Sequence, residues 1–275
     1  MGQQFQKKAL GALLGALTFG VSPGCLSCLN PVAGPRADCL ETCHALPQPC
    51  RNHVYVFFMN GLDPVNCCNL TGLRDCVQKL GFIKTYYGQP MHFYWFASEI
   101  RRLHCEEADA RFVLVGSQWG ANLVCSLADY LRYDNVSIDL AVLLDGTTLD
   151  CNPRHRAGNI ARVVHLWSGQ GILKGKEYPG AENVCIEDGR TLGCVGHPET
   201  VERLALELSV LAASVPVPAG EPLVPETAPE PRPVEEQMPQ VSKEWDFLLP
   251  RPNRPDFLAP TGSPSSTQLS GMSPK

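Results

Sequence analysis

The sequence predicts an α/β fold, a mainly parallel sheet flanked by helices, and three observations carry that prediction. Short apolar runs rich in branched and aromatic residues occur at 53–59, 91–96, 112–115, 138–144 and 162–167, the signature of strands buried on both faces. Stretches with apolar residues at helical spacing separate several of them, as in Leu123, Val124, Leu127, Tyr130 and Leu131. Glycine or small polar residues follow most runs, as in Asn60-Gly61, Gly116-Ser117, Asp145-Gly146 and Ser168-Gly169. Strand and helix alternating at this spacing specify parallel strands joined by helical crossovers.

Taken in order, the first element is the amino-terminal segment 1–24, where Lys7-Lys8 precede a weakly apolar run from Ala9 to Val21. That run is shorter than the roughly 20 residues a membrane helix needs, and it reads as an export signal. Export places the mature chain in a periplasmic or extracellular compartment, with lipid attachment at Cys25 as a variant of the same expectation. Segment 25–51 is cysteine-rich and poor in apolar residues, so it is expected to be irregular and tied by disulfides. The chain's 13 cysteines, all between Cys25 and Cys194, agree with an oxidising compartment. Zinc at Cys25, Cys28, Cys39 and Cys43, or haem at Cys39 to His44, fits the ligand spacings poorly, and neither a metal nor a cofactor is expected.

The folded core is expected over 52–215. Its strand His53–Met59 runs into Asn60-Gly61-Leu62-Asp63-Pro64. The run Met91–Phe96 is read as the next strand, with a helix from Ser98 to about Ala108. The strand Phe112–Val115 then enters Gly116-Ser117-Gln118-Trp119-Gly120, and a helix begins near Ala121. Strands Ile138–Leu144 and Arg162–Trp167 end in Asp145 and Ser168. The stretch 171–190, rich in glycine and charge, is the only candidate for a lid. His197-Pro198-Glu199 leads into an amphipathic helix, Val201–Ala213. From Pro216 on the composition changes: fourteen of the 24 prolines fall in 216–275 and no cysteine does. A segment of that kind buries too little surface to order itself and is expected to be disordered.

The stretch Phe112 to Asp129 resembles the nucleophile elbow of the α/β-hydrolase superfamily, and with its surroundings the resemblance covers about 53–215. Strand, glycine turn and helix occur in the order that elbow requires. Several site residues are implied by the resemblance. Gly61 or Leu62 would supply one oxyanion N–H and Trp119 the other. His197 stands where the family's histidine lies, before the last helix. Asp145 stands where thioesterase-like members carry the acid, since Ser168-Gly169-Gln170-Gly171 holds no carboxylate. Asp145 equally suits a structural role in tying down the Asp-Gly turn.

The departure from the family pattern is at the apex. In G-x-S-x-G the serine stands midway between the glycines, and here Gln118 stands there. Glutamine hydrogen-bonds but forms no acyl-enzyme, and Ser117 is one position early. Two functions follow as expectations. The first is a catalytically degenerate binding or interaction module for a small acyl or ester-like ligand. The second is an esterase or thioesterase using Ser117, His197 and Asp145 through a displaced turn. A disulfide-rich envelope scaffold without a site is a third class. No basic patch or aromatic-basic stretch is present, which argues against nucleic acid. In the tail, Asp246-Phe247-Leu248-Leu249-Pro250 and Asp256-Phe257-Leu258-Ala259-Pro260 form a short repeat suited to docking on a protein partner.

Overall fold

A computed structural model describes residues 30–61, 63, 66–146, 157–169, 175–187 and 193–216. The export segment, Cys25, Leu62 and the tail with its repeat lie outside the described residues.

Six strands form one all-parallel sheet: β1 (Val54–Met59), β2 (Thr85–Gly88), β3 (Arg111–Ser117), β4 (Ile138–Leu144), β5 (Ile160–Ser168) and β6 (Glu182–Ile186), in the order β2-β1-β3-β4-β5-β6. The helices are α1 (Ala37–His44), α2 (Gln48–Asn52), α3 (Leu70–Lys79), α4 (Phe93–Glu106), α5 (Trp119–Arg132) and α6 (Pro198–Ala213). Strand periodicity sorts the apolar residues into two cores. On one face Val54, Val56, Phe58, Val113, Val115 and Val142 pack with Leu73 and Val77 of α3 and Leu204 and Leu208 of α6. On the other, Tyr55, Phe57, Met59, Phe112 and Leu114 pack with Phe96 and Ile100 of α4 and Val124 and Leu127 of α5. Every residue of β1 is buried, which is why that run does not alternate in polarity.

The chain leaves β1, pairs β2 on one side of it, then returns to pair β3 on the other. The order therefore reverses between β1 and β3, and a crevice at such a switch point, beyond the carboxyl ends of the strands, is where open α/β sheets place ligands. The loops that meet there are Asn60-Gly61 and Ser117-Gln118-Trp119.

Three expectations are corrected. Residues 91–96 are not a strand: Pro90–His92 form a 3-10 turn with a Gln89–His92 capping box, and α4 starts at Phe93. Phe96, Ala97, Ile100 and Leu103 are the buried residues of α4, a helical spacing that the aromatic content of the run disguises. His92 accordingly belongs to an exposed turn, and the strand in this region is the less apolar Thr85–Gly88. The segment before β1 is not irregular over its described part, because α1 and α2 occupy it. Nor is that part tied by disulfides: none of the ten described cysteines forms one. Cys43 and Cys50 are buried and donate to the carbonyls of Ala205 and Val215, so they pack as small apolar groups with a weak donor. Finally, the proposed lid 171–190 contains β6, which extends the sheet beside β5 from Val164↔Glu182 to Ser168↔Ile186.

Candidate functional site

The elbow is built from three glycines. A Cβ on Gly116 would meet the Gly120 carbonyl oxygen at 2.6 Å, one on Gly120 the Met59 carbonyl oxygen at 2.2 Å, and one on Gly61 the Gly120 nitrogen at 3.0 Å. Backbone thus touches backbone both within the turn and between the β1 and β3 loops, a packing only glycine permits.

Gln118 stands between these contacts with φ 51° and ψ −118°, outside the regions a side-chain-bearing residue adopts freely. Such a conformation costs about 1–3 kcal/mol and persists only where the surroundings over-determine it. Here the Gln118 N–H donates to the Leu144 carbonyl at 2.7 Å, and its own carbonyl accepts from Ala121 at 3.1 Å. The side chain is partly exposed, and its Nε2 donates to Cys68 Sγ at 2.8 Å. Trp119, 37% exposed, opens α5 beside it, and its backbone N–H lies in the first turn, where no intrahelical acceptor exists.

Beneath the apex lies a polar network. Asn60 is fully buried: its Oδ1 accepts from the Gly61 N–H at 2.9 Å, and its Nδ2 donates to the Asp63 carbonyl and to Tyr87 Oη, both at 2.9 Å. Ser117 is 1% exposed and its Oγ donates to Asn60 Oδ1 at 3.4 Å. Asp63 Oδ1 accepts from the Cys67 N–H at 2.8 Å, and Oδ2 from the Cys68 N–H at 2.9 Å. Burial, reinforced by the charges of Asp63 and Asp145, pushes the Cys68 thiol well above the ordinary cysteine range.

The other site candidates sit as follows. Asp145, φ 52° and 1% exposed, accepts from the Ser168 N–H at 2.9 Å through Oδ1 and from the Cys194 N–H at 2.7 Å through Oδ2. It joins the carboxyl ends of β4 and β5 to the chain entering α6. Burial raises its pKa, and the two backbone donors oppose that shift. His197 is the N-cap of α6, with Nδ1 accepting from the Glu199 N–H at 3.2 Å. In a catalytic triad the same nitrogen carries a proton and donates to the acid. Each of the three has a role: Ser117 supports the Asn60 network, Asp145 buckles strand ends, and His197 caps a helix. The Gly61 N–H, a candidate oxyanion donor, is taken by Asn60.

The contact of Cys68 with Gln118, and the places of Asp63 and Tyr87 in the network around Cys68 and Asn60, are not legible in the sequence. Cys67-Cys68 stands close after the Asn60 loop in sequence, but nothing in that spacing places it under the elbow. The one usable signal was Asp63, four and five residues before two cysteines, the spacing of a side chain closing a turn onto backbone N–H groups. Among the described residues no three His, Cys, Asp or Glu side chains gather as a metal ion would need. No protein-family model matches the chain, and no curated protein is significantly similar to it.

Proposed function

We propose that the chain is an α/β-hydrolase-like protein without hydrolytic activity, whose elbow presents Gln118 as a binding amide for a small acyl or ester-like ligand. The observation that carries this proposal is the backbone of Gln118, strained at φ 51° and ψ −118° at the apex of a strand-turn-helix on the switch point of the sheet. Strain of this kind gathers at functional sites, and here it aims a carboxamide where the resembling enzymes aim a hydroxyl. A ligand carbonyl would accept from the carboxamide and from the Trp119 N–H at the helix start.

An esterase or thioesterase acting through Ser117, His197 and Asp145 has less support. Ser117 is buried on Asn60, His197 Nδ1 accepts rather than donates, and both Asp145 oxygens hold backbone N–H groups. Export and a protein partner for the tail remain part of the proposal, resting on Lys7-Lys8, the run 9–21 and the repeat near Phe247 and Phe257.

The test is titration of the folded full chain with non-hydrolysable acyl amides and the matching esters. Saturable amide binding that weakens about tenfold in Gln118→Ala, the worth of one hydrogen bond, supports the proposal. Ester turnover that disappears in Ser117→Ala overturns it.

A further inference from the structure

Cys68 and Gln118 are 50 residues apart in sequence, and their side chains meet in the site. With Nε2 at 2.8 Å from Sγ and a carboxamide C–N bond of about 1.3 Å, Cδ of Gln118 lies no more than about 4 Å from the sulfur. A turn about the broad terminal torsion of glutamine closes the remainder to the roughly 3–3.5 Å of a near-attack arrangement.

We propose that Cys68 and Gln118 condense to an internal thioester, and that the elbow in this form captures a primary amine covalently by transferring the Gln118 acyl group to it, in place of the carbonyl ligand held by the free carboxamide. The inference rests on the proposed placement of Gln118, rather than a serine, at the apex of the elbow.

The thiol is protonated in its buried setting, so attack requires a base, and the Asp63 carboxylate stands beside it, its Oδ2 accepting from the Cys68 N–H at 2.9 Å. Asp63 removes the thiol proton as Sγ adds to Cδ. The tetrahedral centre then collapses with cleavage of the Cδ–Nε2 bond, and the proton held by Asp63 goes to the departing nitrogen, which leaves as ammonia. One C–S bond forms, one C–N bond breaks, and nothing is oxidised or reduced. Cys68 is buried at 4% exposure, while the partly exposed Gln118 and exposed Trp119 give an incoming amine its approach to Cδ, where an amine outcompetes water as the stronger nucleophile. The amine attacks the same carbon, forms a γ-glutamyl amide and returns the Cys68 thiol.

Intact-mass measurement of the denatured, acid-quenched full chain, without amine buffers, tests this. The predicted mass is about 17 Da below that of the sequence, one ammonia. Methylamine treatment of the folded protein should add itself to Gln118 and free one thiol, at Cys68. A succinimide at Asn60-Gly61 carries the same mass loss, so peptide mapping of the methylamine decides: attachment at residue 118 supports the thioester, and attachment only at residue 60 overturns it. The full sequence mass on a folded wild-type chain overturns it as well, without touching reversible binding by Gln118. Cys68→Ala and Gln118→Glu should both show no ammonia loss, and Gln118→Glu retains the bulk at the apex should Cys68→Ala fold poorly.

Discussion

Gly61 and Gly120 lie backbone to backbone, the position of a Gly61 Cβ falling 3.0 Å from the Gly120 nitrogen and that of a Gly120 Cβ 3.1 Å from the Gly61 nitrogen. This contact locks the loop after β1 onto the elbow after β3. One methyl group at Gly120 would also run into the Met59 carbonyl, which cannot withdraw from the sheet. Gly120→Ala should therefore destabilise the fold by about 1–3 kcal/mol, the usual range for overpacking. Urea denaturation measures the loss, and a change below about 0.5 kcal/mol would mean that the two loops can part.

Asp145 should behave as a structural residue. Its two oxygens hold Ser168 and Cys194, so Asp145→Ala leaves two buried N–H groups without their acceptor and should cost about 2–5 kcal/mol. The same denaturation experiment measures it. Full stability in this variant would release Asp145 from the buckle and return it to the catalytic candidates.

His165 sets a pH dependence. It is fully buried on β5, stacked on Trp167, with Nδ1 against Asn183 and Nε2 without a hydrogen-bond partner among the described residues. Burial pushes its pKa down from 6.5 to about 4. Between those values the unfolded chain takes up a proton that the folded chain refuses, so stability falls as the pH is lowered through that window. Below about pH 4 both states are protonated and this contribution levels off. The loss is at most about 3 kcal/mol. The stability of the wild type relative to His165→Leu should fall as the pH is lowered from 7 to 4, and parallel curves would contradict the assignment.

The described cysteines other than Cys68 should react as thiols. Cys105 and Cys185 are exposed and should react first with a thiol reagent in the folded, unreduced protein, while buried Cys43, Cys50, Cys125 and Cys194 should react only on unfolding. Disulfide-linked peptides among the ten described cysteines would contradict the structure.

How far the sequence speaks differs between fold and site. The central strands were legible because β1, β3, β4 and β5 are buried over most of their length and are mainly apolar. The edge strands were not. Thr85–Gly88 is only partly buried, and Glu182–Ile186 opens with Glu-Asn and buries only Ile186, so neither carries the buried-strand pattern. Phe93–Phe96 misled in the opposite sense, since aromatic residues favour strands while the capping turn at Pro90 starts a helix. At the site, the elbow was legible from Gly116 and Gly120, because close backbone approach excludes every other residue. The partners were not, for the Cys68–Gln118 and Asp145–Cys194 contacts span 50 and 49 residues of sequence and exist only once the sheet has formed.

The measurement that bears most directly on the central claim is intact-mass labelling of the folded full chain with a fluorophosphonate probe, followed by peptide mapping, with Ser117→Ala as control. A Ser117 hydroxyl buried on Asn60 and a glutamine at the apex predict no adduct. A stoichiometric adduct on Ser117 that vanishes in the control would show that the turn shifts to expose a working nucleophile, and would contradict the account.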